Sequence, residues 1–237
     1  WTNKDVVVSF TCTDNIGGSG IAINTVAGAT VTTENTVGET QSVTNTGTCT
    51  DKAGNNAIPV TFSGINIDKT APGAFAASVS PPPNTLGWNN SDVTINFTCT
   101  DGLSGVASCG PTPQVVSDNG IGQSRTATVV DRAGNSATAT VSNIKLDKIK
   151  PTTYVALSPA ANANGWNNTG VSVSLTPTDN LSGVVKKEYN LDGAGWVAYT
   201  TSISISSEGI HTLLYRSKDR ADNQESDKTL SISIDLT

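Results

Sequence analysis

The chain has 237 residues, 14% charged, 5% aromatic and 36% hydrophobic, with 22 glycines, no methionine and a formal net charge of -6. An acidic chain without a basic stripe has nothing with which to release counterions from phosphates, which excludes nucleic acid as a partner. No apolar run approaches the roughly 18 residues that cross a bilayer, so membrane insertion of this segment is excluded too.

In chain order, Trp1 opens an alternating run in which Val6, Val8, Phe10 and Cys12 share one face. A period of two with one apolar face predicts a half-buried strand. The run closes on Asp14 and a glycine-rich turn, and a second turn follows at Asp51, Lys52, Ala53, Gly54 and Asn55. A further strand ends at Ile67 and Asp68, ahead of Pro72.

The pattern then recurs. Trp88 precedes Val93, Ile95, Phe97 and Cys99, a turn begun by Asp101, a turn from Asp131 to Asn135, and a strand ending at Leu146 and Asp147 before Pro151. Trp166 precedes Val171, Val173, Leu175 and Pro177, a turn begun by Asp179, a turn from Asp219 to Asn223, and a strand ending at Ile234 and Asp235. Asp222 stands where the two earlier turns have glycine.

Repetition at a fixed period decides architecture before any local reading does. Short strands joined by Gly, Asn and Asp turns predict an all-β chain of antiparallel two-sheet β-sandwiches, three in a row. The domains are expected at 1–68, 69–147 and 148–237, with the Pro-bearing stretches as linkers. The first begins at the tryptophan that precedes its second strand, so its first strand is expected to be missing.

The four cysteines test this assignment. Cys12 lies on the first alternating strand and Cys49 just before the Asp51 turn, so a bond between them would tie strands of opposite sheets. Val129 stands at the place of Cys49 in the second repeat, which leaves Cys99 with Cys109 as a local pair. The third repeat has Pro177 and Ser217 at the two places and no bridge. Bridges suit an oxidising, exported location; four free buried thiols are the alternative.

Gly87-Trp88-Asn89-Asn90, Phe97 to Asp101, Leu103-Ser104-Gly105-Val106, Asp131 to Asn135 and Ile67 to Pro72 carry a resemblance. The chain resembles the immunoglobulin-like repeats of large bacterial and archaeal surface proteins, adhesins and secreted multidomain proteins. The third repeat is similar to a sister type, through Tyr189 to Gly193, Trp196, Tyr199 and Glu208 to Arg216.

The resemblance implies an immunoglobulin-like fold, an extracellular or cell-surface location, and a non-catalytic structural or adhesive role as a stalk, surface layer or filament. It implies as partners the neighbouring domains of one longer polypeptide, other copies of the chain, or surface carbohydrate. The rival reading is an accessory, carbohydrate-binding module of a secreted glycoside hydrolase. Tyr215 stands where such domains keep a corner tyrosine.

In such a sandwich the loop after the second strand and the loop before the last strand share one end. The aspartate that ends one repeat should therefore meet both loop aspartates of the next: Asp68 with Asp101 and Asp131, and Asp147 with Asp179 and Asp219. Three carboxylates plus carbonyls suit calcium, the single candidate in a chain for which no cofactor is otherwise expected. The alternative is that these aspartates cap turns by accepting backbone N–H groups, with Lys69 and Lys148 neutralising them.

Catalytic residues are not expected. His211 is the only histidine and lies in a predicted strand, no His/Cys spacing suits zinc, and no glycine-rich phosphate loop occurs. Trp1, Trp88 and Trp166 recur at one place and read as rings covering a sandwich edge. Trp196 and Tyr199 follow the hairpin signal Asp192-Gly193 and are not repeated, so they are the candidate aromatic face for carbohydrate.

Overall fold

The structure is a computed structural model describing residues 1–237, the side chain of Ala74 excepted. Every regular element among the described residues is a strand. In chain order these are Val6–Val8 (β1), Ile21–Asn24 (β2), Ala29–Val31 (β3), Gln41–Thr44 (β4), Cys49–Asp51 (β5) and Thr61–Ile65 (β6). Ala74–Ser80 (β7), Val93–Thr100 (β8), Val106–Gly110 (β9), Gln114–Val116 (β10), Gly120–Asp131 (β11) and Ser136–Leu146 (β12) follow. The last are Thr152–Ser158 (β13), Trp166–Asn167 (β14), Val171–Thr178 (β15), Val184–Leu191 (β16), Val197–Ala198 (β17), Ile203–Ile205 (β18), Gly209–Asp219 (β19) and Lys228–Ile234 (β20).

The chain packs as two compact units, one of 1–78, 96–113 and 126–140, the other of 79–95, 114–125 and 141–237. In the first, β1 pairs with β3, β2 with β5, β4 with β6 and β9 with β11, all antiparallel. Val8, Val43, Ile65 and Ile67 form a small core there, flanked by Val6, Phe10 and Val31. Phe97, Ala127 and Val129 are buried further along.

In the second unit one sheet has the order β13-β15-β18 and another the order β14-β20-β19-β16-β17. Alternation puts Val171, Val173 and Leu175 of β15 and Ile203 and Ile205 of β18 into the same core as Leu213 and Tyr215 of β19 and Ile232 and Ile234 of β20. Two largely antiparallel sheets closed over one apolar core make the immunoglobulin-like sandwich. Each fully buried aliphatic side chain contributes about 2 kcal/mol.

The tryptophan motif has a structural purpose that recurs. Thr2 bridges Ile67, Asn89 bridges Leu146 and Asn167 pairs with Ile234, each in parallel. The amides of Asp68, Asp147 and Asp235 donate to the carbonyls of Thr2, Asn89 and Asn167 at 2.9 Å. Each motif thus clips the strand end from which an aspartate projects. Trp88 is buried with Lys145 Nζ 5.8 Å from its ring centre, whereas Trp1 and Trp166 stay exposed.

Cys12 is bonded to Cys49 and Cys99 to Cys109. In the third repeat Ser217, at the place of Cys49, joins a buried polar group. Ser217 Oγ donates to Glu225 Oε1 at 2.7 Å and lies 2.9 Å from Thr153 Oγ1, which also meets Glu225 Oε1. The amide of Thr153 donates to Glu225 Oε2 at 3.0 Å, and Lys228 Nζ lies 2.9 Å from both Glu225 Oε2 and the carbonyl of Thr153. This group ties β13 to β19 where the first repeat has a disulfide.

Candidate metal centres

Two turns and one strand end build each centre. After β8, Asp101 Oδ2 accepts the amides of Leu103 (3.1 Å) and Gly105 (2.6 Å), which folds the loop back beside β11. After β11, Asp131 Oδ1 accepts the amides of Gly134 (2.7 Å) and Asn135 (2.8 Å). Gly134 sits there at a φ of 95°, a conformation glycine adopts without a Cβ clash. The end of the first repeat enters between these turns. Asp68 Oδ2 accepts the amide of Ser104 at 3.0 Å, and Asn135 Nδ2 donates to the carbonyls of Asp68 (2.8 Å) and Thr70 (3.1 Å).

The second centre repeats this pattern, except that no amide takes the part that Gly134 plays on the Asp131 carboxylate. Asp179 Oδ2 accepts the amides of Leu181 (3.0 Å) and Gly183 (2.6 Å), and Asp219 Oδ1 accepts that of Asn223 (2.8 Å). Asp147 Oδ2 accepts the amide of Ser182 at 2.9 Å, while Asn223 Nδ2 donates to the carbonyls of Asp147 (2.8 Å) and Ile149 (3.4 Å). Asp222 holds the turn's left-handed position at a φ of 71°, and its carboxylate is engaged outward by Lys218 (2.5 Å) and Asn84 (2.6 Å). The missing glycine therefore leaves the turn intact.

Asp68, Asp101 and Asp131 each offer an oxygen within 4.8 Å of the others, and so do Asp147, Asp179 and Asp219. Capping and clustering coexist, because the caps do not use every oxygen. Asp179 Oδ1 is buried with no hydrogen-bond partner among the described residues, and so are the hydroxyls of Ser104 and Ser182. Burial pushes the Asp219 carboxyl above its ordinary value, and the charges of Asp147 and Asp179 push it further, against the bonds from Asn223. No salt bridge among the described residues reaches any of the six aspartates. Lys69 pairs instead with Asp5 (2.5 Å) and Lys148 with Asp92 (2.7 Å), so neither lysine neutralises a cluster.

Among residues passed over in the sequence, Ser104, Ser182, Asn135 and Asn223 hold the incoming strand ends. Their signal was the repeated Leu-Ser-Gly and the asparagine that closes each second turn.

His211 lies between Asp192 Oδ2, 2.7 Å from Nδ1, and Ser207, whose carbonyl is 3.1 Å and hydroxyl 3.3 Å from Nε2. The order Ser, His, Asp is that of a nucleophilic triad, but both ring nitrogens face acceptors. A ring that donates to both is an imidazolium and no general base. The Asp192 bond, then the Ser207 carbonyl, raises the His211 pKa. The pair stabilises the fold fully below the ordinary value near 6.5, and the contribution is lost as pH rises through the raised value. NMR titration is expected to place His211 above 6.5 and Asp192→Ala to lower it; a midpoint at or below 6.5 in the unaltered chain contradicts the assignment.

The aromatic pair divides. Trp196 is half-buried, with the Arg216 guanidinium 3.8 Å from its ring centre. Tyr199 points the other way: it is 8% exposed in the core, edge-on to Tyr189, with its hydroxyl accepting the amide of Leu175 at 3.0 Å. A two-ring surface platform is therefore absent: the backbone runs extended through β17, with the Tyr199 amide still donating to the Lys187 carbonyl at 2.9 Å, and side chains three positions apart on extended backbone face opposite ways. Tyr215 packs in the same core.

No family model matches the chain, and no curated protein matches it. Among solved structures it is similar to the fibronectin(III)-like modules of Clostridium thermocellum CbhA, at 16% identity and a TM-score of 0.33, covering 67% of this chain and 94% of that one. A bacterial ice-binding adhesin described for host cell surface retention gives 17% identity and a TM-score of 0.34, covering 82% of this chain and 74% of that one. Extracellular domains 3–6 of protocadherin gammaB7 give 12% and 0.32, covering 99% and 67%. At such scores the likeness carries no functional argument.

Proposed function

We propose that the chain is a non-catalytic structural or adhesive segment of an extracellular protein. In this reading 1–68, 69–147 and 148–237 are sandwich repeats whose ends are fastened by calcium. One observation carries it: the same three-aspartate constellation is built twice, from a strand end and two turns, with no ion pair among the described residues to balance either copy. The donors are all oxygen, and the buried, unpartnered Asp179 Oδ1 fits a hard cation that tolerates irregular geometry. Asp68, Asp101 and Asp131 would hold one ion and Asp147, Asp179 and Asp219 the other. A bound ion would supply positive charge against three carboxylates, which would offset the burial and the lesser repulsion that raise Asp219. The disulfides suit an oxidising exterior.

Calcium at one hundred times its dissociation constant is expected to stabilise the fold by about 2.7 kcal/mol per site, a shift of several degrees in melting temperature. Magnesium, which demands a tighter octahedron, is expected to do less. A melting temperature that does not respond up to about millimolar calcium contradicts the proposal, leaving the aspartates as turn caps.

A further inference from the structure

A buried hydroxyl without a hydrogen-bond partner is costly, and this chain carries such groups only beside its aspartates. Four serine and threonine side chains are buried among the described residues, those of Ser104, Thr153, Ser182 and Ser217. Thr153 and Ser217 lie 2.9 Å apart and both meet Glu225 Oε1. The hydroxyls of Ser104 and Ser182, on residues 3% and 2% exposed, meet nothing. With Asp179 Oδ1 they make up the three buried side-chain polar atoms left unpartnered among the described residues. All three belong to the loops that build the aspartate centres.

The loops account for the serine amide and not for the serine. In the first centre the amides of Leu103 and Gly105 go to Asp101 Oδ2, and the Ser104 amide between them goes to Asp68 Oδ2. In the second, those of Leu181 and Gly183 go to Asp179 Oδ2 and that of Ser182 to Asp147 Oδ2. Any residue but proline supplies such an amide. The left-handed backbone that the loop requires falls on Gly105 and Gly183, at φ of 82° and 81°. Each serine is thus held between two carboxylates, and its hydroxyl is only three bonds from the amide that meets one of them. In the second loop Asp179 Oδ1 and Ser182 Oγ, an acceptor and a donor in one short turn, are both buried and do not bond to each other. Two oxygens that share a cation stand in this relation, since each turns a lone pair to the ion and neither donates to the other.

The donor count points the same way. Calcium takes about six to eight oxygens, and the carboxylates are already partly engaged. Asp68 accepts the amide of Thr70 on Oδ1 (3.0 Å) and that of Ser104 on Oδ2, Asp101 Oδ2 accepts two amides, and Asp131 Oδ1 accepts two more. Asn135 presents a donor, its Nδ2, to Asp68 and Asp131. A further oxygen is needed, and a neutral one adds no fourth negative charge. We infer that Ser104 Oγ and Ser182 Oγ are ligands of the two ions, an inference that rests on the calcium reading. Each loop then offers the ion two groups, the carboxylate of Asp101 or Asp179 and the hydroxyl three residues on. The same serine holds the strand-end aspartate, Asp68 or Asp147, through its amide, so one residue joins the ion to the end of the preceding repeat.

Native mass spectrometry of the 237-residue chain across a calcium titration tests this, with melting measured in a chelator alongside. Ser182→Ala is expected to weaken one ion about tenfold or more and to leave the other unchanged. In a chain carrying Asp101→Asn, which keeps only the second ion, Ser182→Ala is expected to weaken that ion and Ser104→Ala to have no effect. In a chain carrying Asp179→Asn the two serines exchange parts. In the chelator neither alanine variant is expected to melt below the unaltered chain, because neither loses a hydrogen bond. A hydroxyl that only supports the loop lowers the melting temperature there, and such a fall overturns the inference. Two ions on the unaltered chain with affinities that neither alanine change moves overturn it as well, and leave the calcium reading standing. No ion on the unaltered chain overturns both.

Discussion

Replacing Cys12 and Cys49 together by alanine is expected to unfold the first repeat. The bond closes a loop across 37 positions, and the entropy of that loop in the unfolded chain amounts to about 4 kcal/mol. The local core it reinforces is four buried aliphatic residues, Val8, Val43, Ile65 and Ile67, and Val7, Val60 and Phe62 are exposed nearby. Against a domain stability of about 5 to 15 kcal/mol, the loss falls on the weakest part of the chain. Hydrogen exchange at β4 and β6 should approach that of an unfolded segment, while β19 and β20 keep their protection. The shorter Cys99–Cys109 loop, across 10 positions, is worth about 3 kcal/mol. Unchanged protection at β4 and β6 in the double variant would show that packing and not the crosslink holds this repeat.

The second large effect is expected from Glu225→Ala, at about 3 to 5 kcal/mol. Removal of this buried carboxylate leaves the Thr153 amide without its acceptor and takes one partner each from the Ser217 hydroxyl and the Lys228 ammonium. Burial alone would push the Glu225 pKa up, but the bonds from Thr153, Lys228 and Ser217 outweigh it and hold the group below its ordinary 4.5. The sign follows: the network stabilises the fold above pH 4.5, and that stability is lost as pH falls through the lowered value. Denaturant midpoints for Glu225→Ala and the unaltered chain should converge in acid and separate at neutral pH. A loss of under 1 kcal/mol at pH 7 would mean that water replaces the carboxylate at no cost.

What was legible in the sequence was the part fixed by local pattern. Alternation at Val93, Ile95 and Phe97, or at Val171, Val173 and Leu175, sets which face is buried. The repeated turn residues place Asp101 and Asp131, or Asp179 and Asp219, at one end of a sandwich. What was not legible depends on where long side chains turn. Lys69 leaves the neighbouring Asp68 for Asp5 and the Thr32 carbonyl, residues far away in the sequence. Tyr199 and Trp196 are three positions apart, yet one enters the core and the other meets Arg216, because the hairpin pairing runs extended through β17 and an odd spacing sets them on opposite faces. The Thr153, Ser217 and Glu225 group is assembled across β13, β19 and the stretch after it, and no short motif announces it.

The proposal of calcium-fastened repeats is tested most directly by counting ions. Native mass spectrometry of the 237-residue chain in calcium should show two bound ions. Asp101→Asn and Asp179→Asn should each remove one, and the double variant both, with no change in the two disulfides. Retention of both ions by the double variant, or the absence of any ion from the unaltered chain, would contradict it.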